Sequence, residues 1–201
     1  QTHYNTSWDY AKFEVCHHKW VDVSEDGYGV SVLNDCKYGC NVHEGIIGLS
    51  LLKSATSPNP EADKEHHEFT YTILPHMGDW KEAGIVKAAY LLNNPLLAMV
   101  KENDGGTLPA YFEACSVDVD NVVIELIKEP ESMEENAVIV RLYECFNRRS
   151  KVTMKLSYLL KLKEAMECNM LEENKAAFVV TDNEVVFEIK PYEIKTLKLR
   201  F

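Results

Sequence analysis

No stretch of this 201-residue sequence approaches the roughly 18–20 consecutive apolar residues that a membrane-spanning helix needs. Positive charge is also scarce. Twenty-one Lys and Arg stand against thirty-two Asp and Glu, and the net charge of −11 repels both anionic lipid headgroups and a phosphate backbone. No membrane or nucleic-acid partner is therefore expected. Gln1 rather than Met stands first and no charged-then-apolar leader follows it, so the sequence is expected to be a processed or excised piece of a longer product. The local signatures of common enzymes are missing too: there is no G-x-S-x-G elbow, P-loop, H-E-x-x-H or dinucleotide fingerprint, and Gly27-Tyr28-Gly29 is too short to be more than a turn. No internal repeat or low-complexity segment interrupts the chain. Six cysteines (Cys16, Cys36, Cys40, Cys115, Cys145 and Cys168) are too sparse for a secreted disulfide scaffold, which favours reduced thiols and a cytoplasmic setting.

What the sequence does have is a hydrophobic content of 46%, enough to bury a core without metal or disulfide support. Period-two alternation dominates it. Phe69, Tyr71 and Ile73 alternate with Thr70, Thr72 and Leu74; Tyr28, Val30 and Val32 with Gly29 and Ser31; Val138, Val140 and Leu142 with Ile139, Arg141 and Tyr143; Val185, Phe187 and Ile189 with Val186, Glu188 and Lys190. Turn-forming clusters separate such runs at 25–27, 34–40, 54–63, 103–106, 129–136 and 181–183. The expectation is an all-β, antiparallel β-sandwich architecture. One helix or helical turn is expected between the halves, capped by Asp79 with Glu82 three residues on, carrying Trp80, Ala83, Val86 and Tyr90 at helical spacing, and stopped by Asn93-Asn94-Pro95. Tyr, Trp, His and Gly concentrate in the first half, which suggests two subregions, 1–105 and 106–201, meeting at Gly105-Gly106.

Candidate chemistry is thin. Cys36, Cys40 and His43 have zinc-like ligand types, but a closed structural site needs a fourth ligand and none lies nearby, so a turn with inward-packed cysteines is expected. His17-His18, read as strand residues, would point to opposite faces and cannot chelate together, and His66-His67 with His76 flank another strand. Glycoside hydrolysis needs two carboxyl groups at a set separation, yet carboxylates are so abundant here that their presence is no signal. The aromatic residues Trp20, Tyr28, Tyr38 and Trp80 can offer ring faces to a sugar, with Asn34, Asp35 and Lys37 bonding to hydroxyls, although most aromatics at strand spacing pack into cores.

Read together, several stretches go beyond generic β-patterning. They are Phe13-Glu14-Val15-Cys16 to Lys19-Trp20; Gly27-Tyr28-Gly29-Val30 into Leu33-Asn34-Asp35-Cys36-Lys37-Tyr38-Gly39; and His67-Glu68-Phe69-Thr70-Tyr71 to Pro75-His76 and Gly78-Asp79-Trp80. The closing Phe187-Glu188-Ile189-Lys190-Pro191-Tyr192-Glu193-Ile194 belongs with them. In order and spacing the sequence resembles the cytosolic and bacterial branch of the glycoside hydrolase family 38 α-mannosidases along essentially its whole length. His17 and Cys40 depart from the pattern, standing where a small residue and an aromatic or apolar residue are expected.

The resemblance implies a galactose-mutarotase-like supersandwich portion followed by a smaller C-terminal β-sandwich. It also implies a retaining exo-α-mannosidase whose zinc ligands and aspartate nucleophile lie upstream, in an N-terminal catalytic domain of the same polypeptide. No catalytic residue, metal ligand or cofactor is assigned to this piece. Asn34, Asp35, Lys37 and Tyr38 are expected to form an exposed turn at the rim of the pocket for α-mannosides or oligosaccharides. The competing readings are a free-standing carbohydrate-binding module and a structural docking domain with a large exposed apolar patch.

Overall fold

The computed structural model describes residues 7–8, 13–100, 105–107 and 109–201. Its contacts divide the chain into two compact units, Gln1–Lys101 and Glu102–Phe201. Every strand pairing in both is antiparallel.

In the first unit β1 (Val15–Cys16), β4 (Gly39–His43) and β5 (Ile46–Ser50) form one three-stranded sheet. β2 (Trp20–Glu25), β3 (Tyr28–Asn34) and β6 (Tyr71–Met77) form a second, with β3 in the middle. The β4–β5 hairpin turns on Glu44-Gly45, both at positive φ (50° and 77°), the geometry whose twist matches that of its strands. His17 and His18 are not strand residues. Lys19 adopts φ 67° and the Trp20 N–H donates to the His18 carbonyl at 2.8 Å, a tight turn that carries the chain from β1 in one sheet to β2 in the other. Phe69 and Thr70 also precede their strand, because the Thr70 N–H is committed to the Asp35 carboxylate.

The register gives the β2–β3–β6 sheet two unlike faces, since side chains alternate along each strand. One carries Trp20, Asp22, Ser24, Gly29, Ser31, Leu33, Leu74 and His76. On this side packs α1 (Ile85–Asn93), burying Ile85, Val86 and Ala89. The other face carries Val21, Val23, Tyr28, Val30, Val32, Ile73, Pro75 and Met77, and a cavity of about 490 Å³ opens between it and the tip of the β4–β5 hairpin. The helical segment is shorter than its cap implies. Asp79 Oδ1 accepts the N–H groups of Lys81 and Glu82 at 2.9 Å each, and turns follow, but Gly84 at φ 65°, ψ 31° breaks the helical path. A regular helix begins only at Ile85 and ends where the Asn94 N–H and Nδ2 both donate to the Tyr90 carbonyl.

The second unit is a two-layer sandwich. β7 (Cys115–Val117), β10 (Ser150–Leu156), β13 (Val180–Thr181) and β14 (Glu184–Ile189) form a four-stranded sheet in the order β13-β14-β10-β7. β8 (Val122–Lys128), β9 (Ala137–Glu144), β11 (Glu164–Cys168), β12 (Asn174–Phe178) and β15 (Ile194–Arg200) form a five-stranded sheet in the order β12-β11-β15-β9-β8. Val140, Leu142, Leu197 and Leu199 of one layer meet Val152, Met154, Val185, Phe187 and Ile189 of the other in a single core. Each such side chain contributes about 1.5–3 kcal/mol by leaving water. At one end of the sandwich the buried Glu144 carboxylate joins three loops: it accepts Asn121 Nδ2 at 2.7 Å, the Phe146 N–H at 2.8 Å and the Tyr192 N–H at 2.9 Å. Burial works against its ionisation, but those bonds outweigh it and hold the carboxyl below its ordinary value.

Candidate functional site

The loop that follows β3 is organised from inside by Asn34. Its side chain is fully buried rather than displayed on the exposed rim expected of it, and all of its polar groups bond within the protein. Oδ1 accepts the Lys37 N–H at 2.9 Å, Nδ2 donates to His17 Nε2 at 2.8 Å, and the backbone carbonyl accepts Asn93 Nδ2 from the end of α1 at 2.9 Å. Since Nδ2 must be the donor, His17 Nε2 accepts and the ring is neutral with its proton on Nδ1. Burial, which depresses the His17 pKa, favours that neutral form. The expected site residue Asn34 is thus a positioning residue for the loop, with no polar group left over for a ligand.

Its neighbours are less covered: Asp35 and Lys37 are half-buried and Tyr38 is exposed. Both Asp35 carboxylate oxygens accept the Thr70 N–H at 3.0 Å, which holds this carboxyl below its ordinary value. Asp35 is therefore ionised at neutral pH and acts as a hydrogen-bond acceptor rather than a proton donor. Lys37 Nζ lies 4.8 Å from the Phe69 ring centroid, and the Tyr38 ring lies 4.9 Å from that of His18, with its hydroxyl donating to the Asp35 carbonyl at 3.4 Å. One short loop thus offers a carboxylate, an ammonium and a phenol, a set suited to the hydroxyls and C–H faces of a sugar. The other aromatics named from sequence go elsewhere. Trp20 and Trp80 pack on each other with centroids 5.0 Å apart, and Tyr28 lies on the apolar sheet face.

A second polar constellation was not anticipated. His76 Nε2 lies 2.8 Å from Asp22 Oδ1, with both side chains nearly buried, and the same carboxylate accepts the Ser31 hydroxyl at 2.5 Å and the Ser24 hydroxyl at 2.6 Å. Burial alone would raise the Asp22 pKa, but the Ser24, Ser31 and His76 bonds reverse this and lower it; His76 is raised chiefly by its bond to Asp22. Ser31 Oγ is 3.4 Å from His76 Nε2, and both bond the same Asp22 oxygen, so the serine is not activated in the relay order of a catalytic triad. The available signal was polar residues recurring at i and i+2 on strands otherwise rich in valine.

Cys36, Cys40 and His43 do not come together as a metal cluster: Cys36 is exposed, Cys40 is buried opposite Leu49, and His43 is exposed at the end of β4. Among the described residues no group of three or more His, Cys, Asp or Glu is placed to hold a metal ion.

Residues 1–61 match the family profile described as "Glycosyl hydrolases family 38 C-terminal domain", and residues 121–197 match "Glycosyl hydrolases family 38 C-terminal beta sandwich domain". The chain belongs to glycosyl hydrolase family 38. The first family 38 match contains β1 to β5 and the 34–39 loop, and the second covers the sandwich from the start of β8 into β15. Among curated proteins, the chain is 42% identical over 202 residues to human Alpha-mannosidase 2C1, covering 98% of this chain and 19% of that protein. It is 39% identical to Alpha-mannosidase G of Dictyostelium discoideum, covering 98% and 18%. It is 34% identical to an Alpha-mannosidase of Saccharomyces cerevisiae, covering 100% and 20%. The chain therefore spans about a fifth of the length of these relatives. In fold it is similar to a family 38 protein from Enterococcus faecalis, with a TM-score of 0.73 at 18% identity over 94% of this chain and 22% of the other. An alpha-mannosidase from Enterococcus faecalis V583 gives a TM-score of 0.72 at 19% identity over 94% and 21%.

Proposed function

We propose that this chain is the supporting C-terminal part of a retaining α-mannosidase that removes terminal α-mannosyl residues. In this reading residues 1–105 complete the large β-sandwich domain of the enzyme and 106–201 form its small C-terminal sandwich. Hydrolysis itself, with its pair of carboxyl groups, falls to an N-terminal catalytic domain of the same polypeptide. The zinc that the family resemblance implies does not fit the described residues, which offer no three-ligand cluster, and in this reading it is held by that catalytic domain. The relatives' printed names support the substrate class, terminal α-mannosides or the oligosaccharides that carry them. The six free cysteines support a reducing, cytoplasmic setting, and among the described residues no helix is long and apolar enough to cross a membrane.

The observation that carries the reading is the 34–39 loop. Its buried anchor Asn34 ties it to His17 and to α1, and in this reading the half-buried Asp35 and Lys37 and the exposed Tyr38 serve as hydroxyl and ring partners at the rim of the sugar pocket. The apolar face of the β2–β3–β6 sheet supports a supporting role, since such a face is stable when another layer covers it.

The test is hydrolysis of a chromogenic α-mannoside by this chain and by a longer polypeptide that restores the upstream domains, each with added zinc or cobalt. Activity is expected only in the longer polypeptide. There, Asp35→Ala and Lys37→Ala are each expected to lower kcat/KM by about tenfold or more, the loss of one charge-assisted hydrogen bond. Unchanged kcat/KM in both variants removes the loop from the rim, and metal-dependent activity in this chain alone overturns the supporting role.

A further inference from the structure

At one end of the four-stranded sheet of the second unit lies a cleft that the sandwich core does not use. Strand pairing continues one step past the end of β10, where the Ser157 N–H donates to the Ala114 carbonyl at 3.0 Å, so residues 113–114 run beside 157–158 and Tyr111 and Phe112 just before them line the cleft. The opposite wall is the β13–β14 turn, Asp182-Asn183, both at positive φ (51° and 64°). Asn183 locks that wall. Its Oδ1 accepts the Leu162 N–H at 3.1 Å, its Nδ2 donates to the carbonyls of Ser157 and Leu160 at 3.2 and 2.6 Å, and its own carbonyl accepts the Leu156 N–H at 3.0 Å. The cleft between the walls has a volume of about 330 Å³, within the roughly 300–1,000 Å³ of small-molecule sites.

Its lining sets rings and charged groups side by side. Tyr111, Phe112 and Tyr158 are 77%, 50% and 78% exposed, and Lys155 and Asp182 stand among them, the lysine 3.2 Å from Glu184. The fold of the second unit leaves these three rings in water around one cleft, where they contribute little stability by burial. A protein-docking surface dominated by aliphatic side chains would lack the charged groups set among these rings. A pyranose has the same division as the cleft, an apolar C–H face and an edge of hydroxyls. We propose that this cleft is a carbohydrate subsite taking a neutral hexopyranose, whose C–H face stacks on Tyr158 or Tyr111 and whose hydroxyls bond to Asp182 and Lys155. A subsite here, apart from the 34–39 loop, gives the sandwich a hold on sugar units other than the one being cleaved. It rests on the geometry of the second unit and stands independently of the loop reading.

The probes are methyl α-D-mannopyranoside and an α-linked mannobiose, titrated onto the whole 201-residue chain and followed by saturation-transfer difference NMR and by tyrosine fluorescence. Saturable binding in the millimolar range is expected. Tyr158→Ala and Asp182→Asn, the latter chosen because Asn tolerates the positive φ, are each expected to weaken it about tenfold without changing circular dichroism, while Leu171→Ala, at an exposed position outside the cleft, leaves it unchanged. Absence of saturable binding, or binding unaltered in both cleft variants, overturns the subsite. Binding lost in Tyr38→Ala and kept in Tyr158→Ala assigns the sugar to the first unit, overturning the cleft while leaving the mannosidase reading intact. In the longer polypeptide, Tyr158 resistant to nitration without sugar would make the cleft a protein contact and likewise overturn the proposal. Failure of the mannosidase reading shows separately, as no α-mannoside hydrolysis by the longer polypeptide or as metal-dependent hydrolysis by this chain alone.

Discussion

Position 29 has room for a hydrogen and nothing larger. A Cβ there would lie 2.4 Å from His76 Cε1 and 2.7 Å from Ser24 Cβ, so the missing side chain is what lets the imidazole cross β3 to reach Asp22. Gly29→Ala is expected to displace the ring and destabilise the chain by about 1–3 kcal/mol, read from urea unfolding. The pair also gives stability a pH dependence whose sign is fixed. His76 is raised, so its contribution is full below the ordinary imidazole value and fades as pH climbs through the higher folded value. Asp22 is lowered, so its contribution is full above the ordinary carboxylate value and fades as pH falls through the lower folded one. The stability difference between wild type and His76→Asn should therefore be greatest from about pH 4 to 6.5 and shrink on either side. The difference isolates the pair from His17, whose lowered pKa works the other way and lowers stability on acidification. A difference that stays constant from pH 4 to 9 would show that the pair is not ionised as a pair.

Among the elements, the segment after β6 shows where local rules stop. Asp79 satisfies its capping role toward Lys81 and Glu82, and Asn94 closes the far end, both as their residue types suggest. Between them Gly84 takes a left-handed conformation, so a run of turns and one short helix replace a single longer helix. A Cβ at position 84 meets nothing within 4 Å, which leaves backbone strain as the cost of any substitution. Gly84→Val is expected to cost about 1–2 kcal/mol and Gly84→Asn clearly less, measured by chemical denaturation, because Asn tolerates the left-handed region and a β-branched residue does not. Equal costs would point to a packing constraint instead. Strands were more legible: Val185, Phe187 and Ile189 are buried and Val186 and Glu188 are exposed, as their alternation requires. That His17 and His18 lie outside any strand was not legible, because the turn at Lys19 depends on His17 bonding to Tyr38, a residue twenty-one positions away.

Over the whole molecule the two units differ in how complete they are. The second closes its core between two sheets, whereas in the first the valine-rich face of the β2–β3–β6 sheet leaves Ile73 62% and Met77 77% exposed. A contiguous apolar face of this kind marks a surface made for contact. The native chain is expected to bind the dye ANS at this face, Ile73→Asp to reduce the binding severalfold, and a longer polypeptide carrying the upstream domains to bind little; no ANS signal from the native chain would show the face is not accessible. From sequence alone came the β class, the core alternation and the family, because side-chain periodicity and linear motifs are local properties of the chain. The tertiary structure decided which polar residues have outward roles. Asn34, which looked like a surface ligand, is buried by the end of α1, while His76 meets Asp22 and Ser31 only because β6, distant in sequence, pairs in register with the β2–β3 hairpin. The aromatic cleft of the second unit was illegible for the same reason: Tyr111, Tyr158 and Asp182 are far apart along the chain and become neighbours only through the pairing of β7, β10 and β14.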